Sequence, residues 1–288
     1  MTRHLAAGFA RSKLAVAALA LLVVIIALAV LAPAIAPQNP YDLAAIDLMD
    51  AQLEPGSRSS AGGLVYRLGT DGQGRDMLSA ILYGLRVSLV VGVASGVIAL
   101  AIGASLGILA AYAGGRFEQL LMRLVDIQLG FPAILVALIL IATLGKGVDN
   151  VVVALITVQW AYYARTARSA ALVERHKDYM DAARGLGLSH GRLLLGHLLP
   201  NALPPLIVVS TVQVAHAIAL EATLSFLGLG LPTTEPSLGL LIANGYEFLL
   251  SGKYWISAYP GMALLLTILA INLVGDQVRD VLNPRLAR

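Results

Sequence analysis

The feature that most constrains this chain is a run of nineteen apolar residues, 14–32, that no charged or polar side chain interrupts. As an α-helix rising about 1.5 Å per residue, the run reaches about 28 Å, close to the hydrocarbon thickness of a bilayer. Composition agrees, because 58% of the 288 residues are hydrophobic and 13% are charged, against ~25% in soluble domains. No soluble core buries so much apolar surface, so the sequence predicts an integral membrane protein.

Five further charge-free stretches follow the first run. They cover residues 87–115, 127–145, 150–164, 193–220 and 254–275. The third of these five is short, and we expect its helix to continue past Arg165, whose long side chain can reach the interface. The fold class predicted is therefore all-α, an integral membrane protein with six transmembrane helices.

The distribution of basic residues predicts the orientation. With the N-terminus in the cytoplasm, the inner segments hold fourteen of the twenty Lys and Arg residues, so the positive-inside rule favours N-in, C-in. A cleavable signal peptide is the competing interpretation of the first run, and we reject it because such apolar regions usually span about 7 to 15 residues. The predicted division is a cytoplasmic N-terminus (1–13), a first transmembrane helix (14–36), an extracytoplasmic segment (37–84) and a transmembrane domain (85–288) with an inner loop (166–199).

The inner loop contains a second informative pattern. Residues 178–187 predict a helix of about two turns, with Asp178 and Asp181 at its N-terminal end and Gly187 as its stop. An apolar stripe follows the spacing i, i+3, i+4, i+7 and consists of Tyr179, Ala182, Ala183 and Leu186. So short a helix is not stable alone, so the stripe packs either on a partner protein or on this chain's own inner face. The residues leave both alternatives open.

A longer motif surrounds this helix. Asp181-Ala182-Ala183 is followed by Gly187 and then by His197-Leu198-Leu199-Pro200. The order and spacing resemble the E-A-A-x3-G-x9-I-x-L-P signature of bacterial ABC importer permeases, with Asp in place of Glu and His in place of Ile. Other segments, 68–76, 225–230, 259–261 and 275–285, are similar to the second, C-type permease of the dipeptide/oligopeptide/nickel family.

The resemblance implies a function and a set of partners. It implies a multi-pass permease subunit of the bacterial inner membrane that forms half of the translocation path for peptides or similar small solutes. Its implied partners are a second homologous permease, two cytoplasmic ATPase subunits that bind ATP and Mg²⁺, an extracytoplasmic solute-binding protein and membrane lipid. The residues implied to couple it to the ATPase are Tyr179, Asp181, Ala182, Ala183, Leu186, Gly187 and Pro200.

Several other chemistries find no support in the residues. No phosphate-binding loop is present, so we expect no ATP hydrolysis and no catalytic residue in this chain. The chain has no cysteine, and its five histidines include no pair at i, i+4, so we expect no metal site and no bound cofactor. The basic residues form no dense run that would suggest nucleic acid. Residues 71–76 superficially suggest a calcium loop, but a glycine-rich turn accounts for them better.

Two polar residues in the helix predicted from stretch 193–220 are candidates for the pathway or an interface. Glu221 directly follows the charge-free residues of that helix, and intramembrane acids are functional candidates by default. Its predicted depth, near the outer interface, favours a structural role over substrate or proton handling. For His216, five residues earlier, we expect a satisfied core histidine rather than a proton relay.

Two pairs of glycines in the second apolar stretch are each spaced by four positions, Gly92 with Gly96 and Gly103 with Gly107. Such spacing lets helix backbones approach closely in lipid, and packing within the bundle is favoured over a subunit interface. Two alternatives to an ATP-driven importer remain at this point. An ion-coupled secondary transporter would carry inverted repeats, broken helices and midplane acids, and the sequence shows no convincing repeat. A membrane scaffold without transport activity is the other.

Overall fold

The computed structural model describes residues 8–42, 44 and 46–282, and in these the chain is mostly helical. The helices are α1 (Lys13–Ile35), α2 (Met77–Ala113), α3 (Gly115–Gly130), α4 (Ala133–Leu144), α5 (Val148–Arg175), α6 (Asp178–Gly185), α7 (His190–Leu193), α8 (Leu199–Phe226), α9 (Leu238–Tyr246) and α10 (Trp255–Leu282). A π-helical turn, Leu194–Leu198, joins α7 to α8, and short 3-10 turns occupy Leu48–Asp50 and Leu249–Ser251. The basic residues and motif positions at 1–7 and 283–288 lie outside the described residues.

A small extramembrane unit precedes α2. Strands β1 (Ser57–Arg58) and β2 (Val65–Tyr66) pair antiparallel, with Ser57 opposite Tyr66. The buried carboxylate of Asp50 holds this hairpin, because it accepts hydrogen bonds from the hydroxyl of Tyr66 (2.8 Å), the hydroxyl of Ser59 (2.7 Å) and the amide of Ser60 (2.9 Å). The unit is therefore built around one satisfied acid rather than an apolar core.

Four helical segments of the described chain are long and apolar enough to cross a membrane. They are Lys13–Ile35, Met77–Ala113, His190–Phe226 and Trp255–Leu282. The pair α3 and α4 would form a fifth span only if a bend of 90° is allowed. Helix α5, the predicted fourth span, continues past Arg165 to Arg175 as expected, but it is less apolar than these segments. The count of six spans therefore stays a prediction.

Helix α5 is less apolar because the protein itself covers it. It packs against α2, α8, α4 and α3, and its buried positions are mostly alanines and other small or medium residues. A helix that neighbouring helices surround needs little lipid-facing apolar surface. At 28 residues it is about 42 Å long, so it is still long enough to reach across a bilayer.

The third predicted span is wrong as a continuous helix. The chain breaks at Phe131 and Pro132, where Phe131 is extended at φ −91° and ψ 141°. Proline lacks the amide hydrogen that a helix interior uses and disfavours the helical conformation of the residue before it. Helix α4 has twelve residues, about 18 Å, and is too short to cross by itself.

One other boundary differs from the prediction, whereas helix α1, predicted over 14–36, ends at Ile35. Helix α2 begins at Met77, ten residues before the charge-free stretch, because the carboxylate of Asp76 caps it by accepting from the amide (2.8 Å) and hydroxyl (2.6 Å) of Ser79. Charge counting missed this start because Arg86 lies within the helix, with its side chain exposed.

The glycines of α2 pack inside the molecule, as predicted. A Cβ on Gly92 would lie 2.6 Å from Cγ1 of Ile218 in α8, and a Cβ on Gly103 or Gly107 would overlap the backbone carbonyl of Trp160 or Ala164 in α5. Only glycine allows these backbones to approach so closely. The glycine face of α2 is consequently occupied by α5 and α8.

Candidate functional site

The inner-loop helix is present where the sequence predicts it. Helix α6 spans Asp178–Gly185, and Gly187 follows with φ +72°, a conformation that favours glycine. The amide of Gly187 donates to the carbonyl of Arg184 (2.9 Å), and the amide of Leu188 donates to the carbonyl of Ala183 (3.2 Å). These bonds satisfy carbonyls at the helix end and reverse the chain there.

The predicted apolar stripe is split between two surroundings. Ala183 is buried, together with Met180, in a cluster that includes Leu193, Leu198 and Ala202. Leu186 is 82% exposed, Tyr179 is 36% exposed, and Ala182 is also exposed. Of the two alternatives left open, Ala183 therefore follows the second and packs on this chain's own inner face, whereas Ala182 and Leu186 stay free for a partner protein. Sequence reasoning missed Met180, although its spacing of three from Ala183 puts both on one helical face.

Tyr179 connects α6 to two longer helices. Its hydroxyl donates to Oε2 of Glu174 in α5 (2.8 Å) and accepts from Nδ2 of Asn201 in α8 (3.3 Å). Partial burial and the nearby Glu174 carboxylate raise the pKa of Tyr179 to about 12, so the phenol remains a neutral donor at physiological pH. Pro200 lies beside Asn201 in the first turn of α8. The structure thus brings Tyr179 and Pro200 to the same junction.

The acidic residues of α6 remain at the surface. Asp181 pairs with Arg184 (Oδ1 to Nη1, 2.9 Å), both largely exposed, while Asp178 lies in the first turn. An exposed pair of this kind contributes little to stability. On the exposed face of α6, charged side chains therefore surround Ala182 and Leu186.

Glu221 is fully buried and is held by three hydroxyl groups. Ser88 of α2 donates to Oε2 (2.8 Å), and Ser225 of α8 and Ser237, which precedes α9, donate to Oε1 (2.9 Å each). Among the described residues no basic side chain forms an ion pair with it. The geometry favours the structural role, because the carboxylate ties α2, α8 and α9 together.

His216 is exposed, so the expectation of a core histidine is wrong. It lies 140° around α8 from Glu221 at 100° per residue, and the structure does not bring the two side chains together. His216 lines a groove of about 400 Å³ between α4, α5 and α8. We call this the polar groove, defined by the polar side chains of Gln159, Tyr162, Gln213, His216 and Thr223.

Two glutamines of the polar groove were missed by sequence reasoning. Gln159 and Gln213 are buried, and in the described part of the chain Oε1 of Gln159 has no hydrogen-bond partner. The spacing in the sequence could have revealed them. Gln159 is three residues from Tyr162 and Gln213 is three residues from His216, so each pair shares a helical face. Polar groups at membrane depth are costly and accompany function more often than packing.

The glycine-rich turn before α2 is stabilised by its own residues. Asp71 accepts from the amide of Gln73 (2.8 Å) and from Nε of Arg75 (2.7 Å), and both charged side chains are buried. The turn interpretation of residues 71–76 is confirmed. Over residues 8–42, 44 and 46–282 no group of three or more acidic or histidine side chains is arranged to hold a metal ion.

Comparison with solved structures and characterised relatives fits this architecture. The chain is similar in fold to a subunit in inward-facing structures of the MetNI methionine ABC transporter, with a TM-score of 0.59 and 22% identity over 71% of this chain and 97% of that chain. It is 39% identical to a di/tripeptide transport system permease protein of Pseudomonas aeruginosa over 97% of this chain and 90% of that protein. It is 40% identical to a dipeptide transport system permease protein of Escherichia coli over 96% and 91%.

Family matches cover both ends of the chain. Residues 5–55 match the N-terminal transmembrane domain of oligopeptide transport permease C, and residues 103–288 match the binding-protein-dependent transport system inner membrane component. The resemblance in the motifs is confirmed, and no match supports an ion-coupled carrier. Such a system implies separate ATPase and solute-binding partners, so this chain is a permease rather than an enzyme. The chain therefore belongs to the family of inner membrane components of binding-protein-dependent transport systems, the permeases of ABC importers.

Proposed function

We propose that this permease serves an importer of peptides or similar small solutes and forms half of its translocation path. The relatives in Pseudomonas aeruginosa and Escherichia coli, named for di/tripeptide and dipeptide transport and alike over more than nine-tenths of this chain, support that substrate class. The other half would be a second, homologous permease, giving a heterodimer. Two ATPase subunits would bind ATP and Mg²⁺, and this chain would bind no cofactor.

The observation that carries the proposal is the exposed face of α6. Ala182 and Leu186 present an apolar surface within the inner loop, while Met180 and Ala183 anchor the helix to this chain's own core. Burying a leucine side chain contributes about 2 kcal/mol, so Leu186 is a fitting anchor in a groove of the ATPase. Gly187 lets the chain turn back towards Pro200 and α8.

The contacts of Tyr179 give α6 a way to pass movement onward. Its hydroxyl bonds both Glu174 of α5 and Asn201 of α8, so displacement of α6 by the ATPase acts on two long helices together. The polar groove lies between α4, α5 and α8, and two of these three helices are the ones that Tyr179 joins. We assign the polar groove, including His216, to the solute path of this subunit, and Glu221 to its structural frame.

The experiment is a Leu186→Glu substitution in the assembled importer, reconstituted in proteoliposomes with its solute-binding protein. We expect ATPase subunits to dissociate more readily and uptake to fall at least about tenfold, since the change removes about 2 kcal/mol of burial and adds a charge. Leu250→Glu is the matched control, because Leu250 is at least as exposed as Leu186 but lies between the last two apolar stretches, on the side predicted to be outside the cell.

Unchanged uptake and unchanged ATPase retention in the Leu186→Glu importer would refute the docking role of α6. Ala183 is unsuitable for this test. A bulky charge there would disrupt the buried cluster around Met180 and Leu198, so loss of uptake would report misfolding of the inner face rather than lost docking.

A further inference from the structure

A second cavity, of about 620 Å³, lies between segments that the predicted topology places outside the membrane. We call it the outer cavity; it is lined by Gln73 before α2, Lys146 before α5, Thr233 after α8, and Asn244 and Glu247 at the end of α9. Lys146 precedes the first residue of α5, whereas the inner-loop helix α6 follows its last residue. The length of α5, about 42 Å, therefore separates the outer cavity from α6.

The outer cavity carries one cation and one anion that are not paired. In the described residues neither the ammonium of Lys146 nor the carboxylate of Glu247 makes a hydrogen bond or ion pair, although both line the same space. The side-chain amides of Gln73 and Asn244 add donors and acceptors, and Phe226, Leu231 and Phe248 supply apolar walls. Such a combination of few polar groups and apolar walls is typical of small-molecule sites.

The loop that carries Lys146 is fixed in place. Its neighbours Gly145 and Gly147 have φ +90° and +149°, and the amide of Gly147 donates to the carbonyl of Gly230 across the cavity wall (3.2 Å). Nδ2 of Asn150 donates to the carbonyls of Leu144 (3.0 Å) and Gly145 (3.1 Å). Holding the loop in advance reduces the entropy lost when Lys146 meets a ligand.

The carboxylate of Glu247, the second charge of the outer cavity, also lies on a segment of regular structure. Glu247 follows the last residue of α9, where the negative end of the helix dipole disfavours a carboxylate and a bound cation would compensate. The facing wall at Gly72 and Gln73 belongs to the turn that the buried Asp71 and Arg75 pair stabilises, and Gly72 lies against the ring of Phe248. The outer cavity is thus bounded by rigid segments.

We propose that the outer cavity binds a small zwitterion, with Lys146 contacting its carboxylate and Glu247 its ammonium group. A short peptide with both termini free has this charge pattern, and its amide bonds suit Gln73 and Asn244. The assignment rests on the proposed function and deepens it, because this permease would then recognise the two free termini of the peptide. The volume lies within the roughly 300–1,000 Å³ of small-ligand sites.

The test compares Lys146→Gln and Glu247→Gln importers in proteoliposomes with the solute-binding protein supplied at saturation. The probes are one dipeptide, its C-terminal amide and its N-acetyl derivative, each first shown to bind the solute-binding protein. Lys146→Gln should reduce uptake of the free and N-acetylated peptides about tenfold and leave the amide nearly unaffected. Glu247→Gln should reduce uptake of the free and amidated peptides and spare the N-acetyl peptide.

Matched controls are Arg58→Gln and Glu54→Gln, which remove the same charges at exposed positions of the outer segment away from the cavity. The uptake of all three peptides could instead fall equally and recover when the concentration of solute-binding protein is raised further. That result would mean that Lys146 and Glu247 contact the solute-binding protein, and it would overturn the assignment. Unchanged uptake by both variants would overturn it too. If the unmodified importer takes up no peptide at all, the proposed function fails as well. If it takes up peptides but the variants behave as the controls do, only the assignment of the outer cavity fails.

Discussion

At the scale of single residues, Glu221 shows how an intramembrane acid is accommodated with no counter-ion among the residues that the structure describes. Three serine hydroxyls from α2, α8 and the residue before α9 converge on its two carboxylate oxygens. Buried polar groups in proteins are generally satisfied by hydrogen bonds, and here all three donors come from serine side chains. Glu221 therefore links α2, α8 and the start of α9 through hydrogen bonds.

Substitution of Glu221 separates this structural role from proton or solute handling. Glu221→Gln keeps the shape and can still bond the serines, so most uptake should remain. Glu221→Ala leaves three buried serine hydroxyls without their hydrogen-bond acceptor, and each such loss costs about 1–3 kcal/mol of folding free energy. The variant should therefore lower the unfolding temperature of the purified importer markedly. Glu54→Ala, at an exposed position, is the control. Near-complete loss of uptake by an intact Glu221→Gln importer would contradict the structural role.

Asp50 makes the extramembrane unit sensitive to acid. Burial alone would raise the pKa of its carboxyl, but hydrogen bonds from Ser60, Ser59 and Tyr66 outweigh it and lower the pKa to about 2. A lowered folded-state pKa contributes stability above the unfolded value of about 3.9, and this stability is lost as the pH falls towards 2. The hairpin should stay packed at pH 4 and loosen between pH 4 and pH 2.

Trp255 can report this loosening. Its indole Nε1 donates to the carbonyl of Thr70 (3.2 Å), and the Thr70 hydroxyl donates to the carbonyl of Asp50 (2.5 Å). In a Trp160→Phe background, Trp255 is the remaining tryptophan, and its emission should shift to the red over that pH range. Adding Asp50→Asn should produce the shift already at neutral pH. An emission spectrum indifferent to both changes would disprove the role of Asp50.

At the scale of elements, the contact of α2 with α5 depends on the absence of side chains. A Cβ on Gly103 would meet the carbonyl of Trp160 and the backbone amide of Ala164, neither of which can move without moving α5. Rows of small residues predict close packing, but the sequence does not say which helix they pack against. The structure assigns the partner, α5, and thereby fixes the width of the bundle.

Gly103→Ala should destabilise the bundle by about 1–3 kcal/mol, because overpacking forces the two backbones apart. Gly261→Ala in α10 is the matched control: no heavy atom lies within 4 Å of a Cβ built there, so the change should be neutral or slightly stabilising. Thermal unfolding of both purified variants measures the difference. Equal stability of the two would show that α2 and α5 are less closely packed than described.

Helix α6 illustrates what an element's pattern can and cannot predict. Its start, length and glycine stop follow from residues 178–187 alone, and the structure confirms all three. Its free face does not follow, because Met180 and Ala183 are buried in a cluster of residues from other elements, including Leu193 and Leu198 beyond the chain reversal. The broken third span is the reverse case, since Pro132 was visible in the sequence and a hydropathy count passed over it.

At the scale of the whole molecule, the polar groove should be the part of α8 that water reaches. Because the chain has no cysteine, a single His216→Cys substitution gives one reactive site. A membrane-impermeant cationic thiol reagent attacks the thiolate, which forms in water and not in lipid. Mass spectrometry of this chain should show modification at least about tenfold faster than for Ile207→Cys, an exposed position on the opposite face of α8.

Protection by solute extends this measurement to function. Saturating peptide and solute-binding protein, together with ATP, should slow the reaction at position 216 and leave position 207 unchanged. If positions 216 and 207 react equally slowly, the groove is closed to water, by lipid or by the second permease, and the assignment of the solute path to it fails.

The sequence by itself determined the membrane-protein class, most of the helices, the inner-loop helix α6 and the family, because each depends on a local pattern of apolar runs, glycines and motif spacing. Only the tertiary structure decided that Glu221 is enclosed while His216 is open, that Ala183 faces inward, and that Lys146 and Glu247 share a cavity. Those outcomes depend on contacts between distant residues, such as Ser88 and Glu221, which are 133 positions apart. No periodicity within one helix encodes such a contact, because it arises only when the helices pack.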